Sequence, residues 1–147
     1  MTVEPRIPIV PAGFEPNAFA VPFLDTNGPI YVKHADGLIH LGLRIEERHA
    51  NPNGTCHGGM LMTMADMQLV MGVIYQCDVK TFLPTINLTT DFVAPAMIGD
   101  WIQGRTDIHR RTRRMAFASC LFETDAGQVV FRANGILKIP SAGGQDR

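Results

Sequence analysis

The sequence predicts an α+β domain in which a curved antiparallel sheet wraps one long helix. Three observations lead there. Apolar and polar residues alternate with period two on both sides of the middle of the chain. Between those regions, Gly58 to Cys77 runs without a proline and is apolar nearly all round a helical wheel. The links between the later alternating segments are short, and short links join antiparallel neighbours.

Each element has its own signal. Residues 1–28 read as an irregular arm, punctuated by Pro5, Pro8, Pro11, Pro16 and Pro22 and closed by a turn at Asn27-Gly28-Pro29. Phe14, Phe19 and Phe23 give that arm something to pack on the body. Two strands follow, Ile30 to Lys33 and Gly37 to Glu47, with Ile39, Leu41, Leu43 and Ile45 in phase. Asp36-Gly37 between them is a hairpin signal. After the helix, Ile86, Leu88, Thr90 and Phe92 alternate with polar neighbours, and Ala94-Pro95 ends the strand. Gly99 to His109 is next, then a basic connection from Arg110 to Arg114. A final hairpin joins Arg114–Thr124 to Gln128–Ile139 around Asp125-Ala126-Gly127. The domain is thus expected over residues 29–140, with a frayed tail at 141–147.

Composition narrows the function. A chain of 147 residues holds one domain with a sizeable core. A net charge of −1 argues against a general nucleic-acid binder or a polybasic membrane anchor. Cys56, Cys77 and Cys120 are too scattered for a disulfide framework or a metal cluster. An odd cysteine count without a secretory pattern suggests the reducing cytoplasm. Gly58 to Cys77 has the length of a bilayer span. Asp66 near its centre would cost roughly 2.5–3.5 kcal/mol there, and Thr63, Gln68 and Gln76 add to it. The segment therefore reads as a buried helix rather than a membrane anchor.

The chemistry concentrates in NPNGTCHGGMLMTMADM, Asn51 to Met67. Asp66 is the only charge between Gly58 and Cys77. On the helix pattern alone it reads equally as a partnered structural carboxylate or as a base or nucleophile in a desolvated pocket. His57 alone could be a plain turn residue. Gly58 and Gly59 add to it, because glycines at a helix start leave backbone N–H groups open to a developing oxyanion. Asp66 lies nine positions after His57, which on one helix is half a turn out of phase and a rise of about 13 Å. One chain cannot bring both to one small site. Either Asp66 is structural, or two chains share each site across a two-fold axis.

The N-x-x-G-x-x-H-G-G pattern from Asn51 to Gly59, followed by Asp66, resembles the hotdog-fold acyl-CoA thioesterases. The similarity lies in the branch of the phenylacetate-pathway thioesterase and human thioesterase superfamily member 2. It runs from about Leu38 to Lys138, and further matches are Thr85, Phe92–Ala96, Gly99-Asp100 and Arg113–Phe117. The resemblance implies a homodimer, often paired into a tetramer, that takes an acyl-CoA substrate; hydrolysing a thioester needs carbonyl polarisation and an activated water, so no metal and no cofactor are expected. It implies that the Gly58 N–H polarises the thioester carbonyl while His57 and Asn51 orient it. Asp66 of the partner chain would act as base or nucleophile, and Thr85 would hold the attacking water. Gly59, Phe92, Val93, Ala94 and Pro95 would contact the substrate. Arg110, Arg111, Arg113 and Arg114 suit CoA phosphates, although alone such a run reads as a solvated turn. Met62, Leu69, Val70 and Val73 are expected to line an acyl pocket. A hotdog dehydratase or hydratase and a non-catalytic acyl-CoA binding module are the alternative readings.

Overall fold

A computed structural model of the chain describes residues 9–19 and 21–141. The strands are β1 (Glu15–Pro16), β2 (Tyr31–Ala35), β3 (Leu38–Arg44), β4 (Thr85–Phe92), β5 (Trp101–Arg111), β6 (Met115–Thr124) and β7 (Val129–Lys138). They form one antiparallel sheet in the order β1-β2-β3-β5-β6-β7-β4. A six-residue helix α1 (Pro22–Asn27) precedes β2, and the long helix α2 (Gly58–Cys77) lies between β3 and β4. This is the hotdog arrangement. At the β2–β3 turn, Asp36 (φ 54°) and Gly37 (φ 74°) both adopt left-handed conformations. A two-residue hairpin turn of this twist needs that pair.

The sheet gives α2 a floor of small residues. Along β6, Ala116, Ala118, Cys120 and Phe122 are buried in strict alternation. A Cβ on Gly135 of β7 would lie 2.6 Å from Leu69 Cδ1, and one on Gly72 of α2 would lie 2.3 Å from Thr106 Oγ1. Backbone therefore approaches side chain closely on both partners. Leu69 and Val73 are fully buried there, each contributing roughly 1.5–3 kcal/mol of apolar burial.

Gln68 solves a problem in the sheet. β3 and β5 are paired only from Gly42–Gln103 to Arg44–Trp101, then part. Fully buried, Gln68 fills the gap from α2. Its Nε2 donates to Ile39 O at 2.9 Å and to Thr106 Oγ1 at 3.0 Å, while its Oε1 accepts from the Leu41 N–H at 2.9 Å. His40 Nδ1 lies 2.9 Å from Gly104 O, and Gln76 donates to Thr106 O at 3.0 Å. In the sequence both glutamines are mere polar interruptions of an apolar run. In the structure they satisfy backbone groups that the split strands abandon.

Several expectations need correction. The arm is not irregular throughout: β1 pairs with β2, and α1 is a helix with proline at its start. Phe14 is buried edge-on against Trp101 at 4.9 Å, but Phe19 and Phe23 are exposed. Arg110 and Arg111 belong to β5 rather than to a connection. α2 is not buried all round. It is long and apolar enough to cross a membrane by composition, and half of that window is buried within this chain. Met62 is exposed and Asp66, four residues on, is half-buried on the same side; Met67 and Ile74 are half-buried, and Tyr75 is exposed near the far end of α2 with its ring 5.0 Å from that of His34. The intended inner face of β4 is open too, with Ile86 at 55% and Phe92 at 56% exposure, because β4 is the edge of the sheet. Tail residues 142–147 lie outside the described residues, as do residues 1–8 of the arm.

Candidate active site

The loop before α2 is shaped by Asn51. Its Oδ1 accepts from the N–H groups of Asn53 (2.9 Å) and Thr55 (3.3 Å), and its Nδ2 donates to Thr55 Oγ1 (2.8 Å). This is an Asx turn, closed by Gly54 at φ 75°. The site role implied for Asn51 is thus joined to a structural one, with one amide hydrogen to spare.

His57 is the N-cap of α2, its Nδ1 accepting from the Gly59 N–H at 2.9 Å. With Nδ1 accepting, a neutral ring carries its proton on Nε2. The neighbouring donors are also engaged. Cys56 N–H goes to Ala96 O, His57 N–H to His49 O, and the N–H groups of Met60 and Leu61 to His57 O. The Gly58 N–H has no acceptor among the described residues. It stands at the positive end of a twenty-residue helix, where backbone donors suit a developing anion. A Cβ on Gly58 would lie 2.9 Å from Phe92 Cε1, so the glycine lets that ring close over the helix start.

Asp66 lies two turns further along α2. Its Oδ1 accepts from Thr85 Oγ1 at 2.6 Å, a short bond to a half-buried carboxylate. Thr85 opens β4 and Phe92 ends it. Gly58 meets Phe92 at one end of β4 and Asp66 meets Thr85 at the other; Thr85 and Phe92 are about 23 Å apart along the strand, and Gly58 and Asp66 about 12 Å apart along α2. The arginines share the second end. Strand register places Arg111, Ala116, Leu137 and Thr85 in one row across the sheet, and Arg110, Phe117, Ile136 and Asn87 in the next. All four arginines, Arg110, Arg111, Arg113 and Arg114, are exposed. Within a single chain they are remote from Phe92, Val93, Ala94 and Pro95. The residues proposed for one site therefore fall into two groups, as the helix arithmetic requires.

Leu69, Val70 and Val73, expected to line an acyl pocket, are core side chains packed against the sheet; only Met62 of that set is exposed. Cys56 beside His57 is also buried, and burial pushes its thiol up to about 12. It is a protonated thiol at neutral pH, not a nucleophile. Among the described residues no cluster of His, Cys, Asp or Glu could hold a metal ion. One residue escaped sequence reasoning. His49, 3% exposed, accepts the Glu46 N–H on Nδ1 (3.0 Å), sits 2.7 Å from Asn27 O through Nε2, and receives the His57 N–H on its carbonyl (2.7 Å). It ties α1 to the helix start. No periodicity marks it, because its partners come from the arm.

The family model of the thioesterase superfamily matches residues 53–131. A Pseudomonas aeruginosa protein named "Putative esterase PA0474" is 35% identical over 132 residues, 89% of this chain and 98% of that protein. Mouse acyl-coenzyme A thioesterase 13 is 30% identical over 78 residues, 52% of this chain and 54% of its own length. The crystal structure of zebrafish thioesterase superfamily member 2 superposes with a TM-score of 0.69 at 25% identity, covering 76% of this chain and 81% of that one. With the hotdog sheet, the helix start at Gly58 and these likenesses together, the chain belongs to the thioesterase superfamily of thioester hydrolases.

Proposed function

We propose that the protein hydrolyses an acyl-CoA thioester to a free acid and CoA in the cytoplasm, at sites shared by two chains of a homodimer. The observation that carries this reading is the placement of two half-sites at opposite ends of the edge strand β4. An eight-residue strand with one edge unpaired among the described residues is a template for pairing. Antiparallel pairing of β4 with its copy across a two-fold axis lays the Thr85 end of one chain beside the Phe92 end of the other. That brings one chain's Asp66 and Thr85 to the other chain's Gly58. The exposed Ile86 and Phe92, and the uncovered side of α2, would be buried in the same step. The arginine row of one chain would move toward Phe92–Pro95 of the other, joining two groups that one chain keeps apart.

The mechanism follows from these positions. The thioester carbonyl oxygen accepts from the Gly58 N–H, with His57 Nε2–H and Asn51 orienting it. Thr85 positions water against Asp66, which takes a proton as the water oxygen bonds to the carbonyl carbon. The tetrahedral oxyanion is held by the Gly58 N–H. Removing a comparable donor costs other hydrolases about 3–4 kcal/mol. Collapse breaks the carbon–sulfur bond, and the CoA thiolate leaves and takes up a proton. Attack by Asp66 itself, with hydrolysis of the resulting anhydride, uses the same geometry. Asp66→Asn is expected to lower kcat on acyl-CoA by at least about a hundredfold with the dimer intact. Unchanged thiol release by that variant would sink the mechanism.

A further inference from the structure

We propose that the cavity between α1 and the first turn of α2 is the acyl subsite, and that it selects a short acyl chain ending in a neutral oxygen such as a hydroxyl. The inference rests on the hydrolase reading above and names its substrate class. A cavity of about 270 Å³ is lined by His57 and Gly59, the residues flanking the unclaimed Gly58 N–H. On its other side Gly58 is covered by Phe92, which with Val93, Ala94 and Pro95 would take the CoA arm under the hydrolase reading. A carbonyl held at Gly58 thus has one direction for its CoA arm and another, toward α1, for its acyl group.

Size limits the chain. The cavity, about 270 Å³ and open to solvent on one side, seats a short chain, and a long alkyl tail would run past its lining into water. The lining sets the chemistry. Phe23 and Met60 give apolar contact, while Asn27, Arg48 and Thr63 are polar. Arg48 donates through Nε to Glu46 Oε2 at 2.8 Å and through Nη1 to Thr26 O at 3.4 Å. A guanidinium has five N–H donors, so donors remain for a substrate oxygen. Its charge is already balanced by Glu46, whose carboxylate would repel an acyl carboxylate; a hydroxyl adds no charge. His49 keeps the wall in place through its 2.7 Å contact with Asn27 O at the end of α1.

The test compares kcat/KM of the full chain on hexanoyl-CoA, 6-hydroxyhexanoyl-CoA, adipoyl-CoA and myristoyl-CoA, with Arg48→Met and Arg48→Lys alongside. The hydroxylated substrate should exceed hexanoyl-CoA by about tenfold, one hydrogen bond to a charged group. Adipoyl- and myristoyl-CoA should be the poorer substrates. Arg48→Met should bring the hydroxyl preference to about one, and Arg48→Lys should keep part of it. A wild-type ratio near one, a preference that survives Arg48→Met, or adipoyl- or myristoyl-CoA as the best substrate would each overturn the inference while leaving the hydrolase reading intact. No turnover of any of the four would overturn both.

Discussion

The shared site makes an arithmetical prediction. Asp66→Ala removes the carboxylate from one half-site, and His57→Ala removes the imidazole from the other. Each homodimer then has two dead sites. A hybrid dimer has one site carrying both lesions and one carrying neither, because the intact His57 and the intact Asp66 come from different chains and meet across the two-fold axis. Random exchange makes half of the dimers hybrids, so the mixture should regain about one quarter of wild-type activity. Were His57 and Asp66 to serve one site within a chain, mixing would restore nothing. Losing the cap at His57 costs about 0.5–2 kcal/mol of stability, so the assay belongs well below the melting temperature. Thiol release from an acyl-CoA reports turnover, and differently tagged chains let hybrids be counted and isolated. Isolated hybrids without activity, or a chain that stays monomeric, would refute the geometry.

Other consequences are as direct. Thr85→Val removes the 2.6 Å donor to Asp66; kcat should fall by roughly ten- to a hundredfold, while Thr85→Ser should retain most of it. Equal kcat in the valine variant and wild type would leave the threonine without its role. Gln68→Leu strips partners from Leu41 N–H, Ile39 O and Thr106; denaturant unfolding should show a loss of about 2–5 kcal/mol, and a loss under about 1 kcal/mol would show that β3 and β5 close the gap unaided. Burial pushes the thiols of Cys56 and Cys120 from 9.0 to about 12. From pH 9 to 12 the unfolded chain releases thiol protons that the folded chain keeps, so stability falls as pH rises through that window, by up to about 1.4 kcal/mol per pH unit for each thiol. Cys120→Ala should flatten the slope of unfolding free energy between pH 9 and 10.5; an unchanged slope would refute the burial argument.

Local rules carried much of the fold into the sequence. The period-two runs around β3, β5, β6 and β7 and the apolar run of α2 stand where the structure has them, since side-chain alternation and the helical repeat are backbone properties. Asp36-Gly37 turns because few other residues tolerate two positive φ angles. Pattern failed where burial depends on something outside the segment. Ile86 and Phe92 alternate as core residues, but β4 ends up at the sheet edge with nothing beyond it among the described residues. Gln68 looked like a blemish because the split between β3 and β5 that it bridges has no local signature. The prolines of the arm hid α1, a helix that begins at one of them.

The site divides the same way. Spacing alone said that His57 and Asp66 cannot meet on one helix, because rise and twist per residue are fixed whatever surrounds them. The amino-acid order also supplied the glycines, the carboxylate and the threonine. It could not say that Asp66 and Thr85 bond to each other across nineteen positions, that Phe92 seats on Gly58, or that the Gly58 N–H alone of its turn goes unclaimed among the described residues. Those facts depend on where β4 crosses α2 and on which acceptors reach the helix start. Both are set when the sheet closes round the helix, through contacts between residues far apart in the chain.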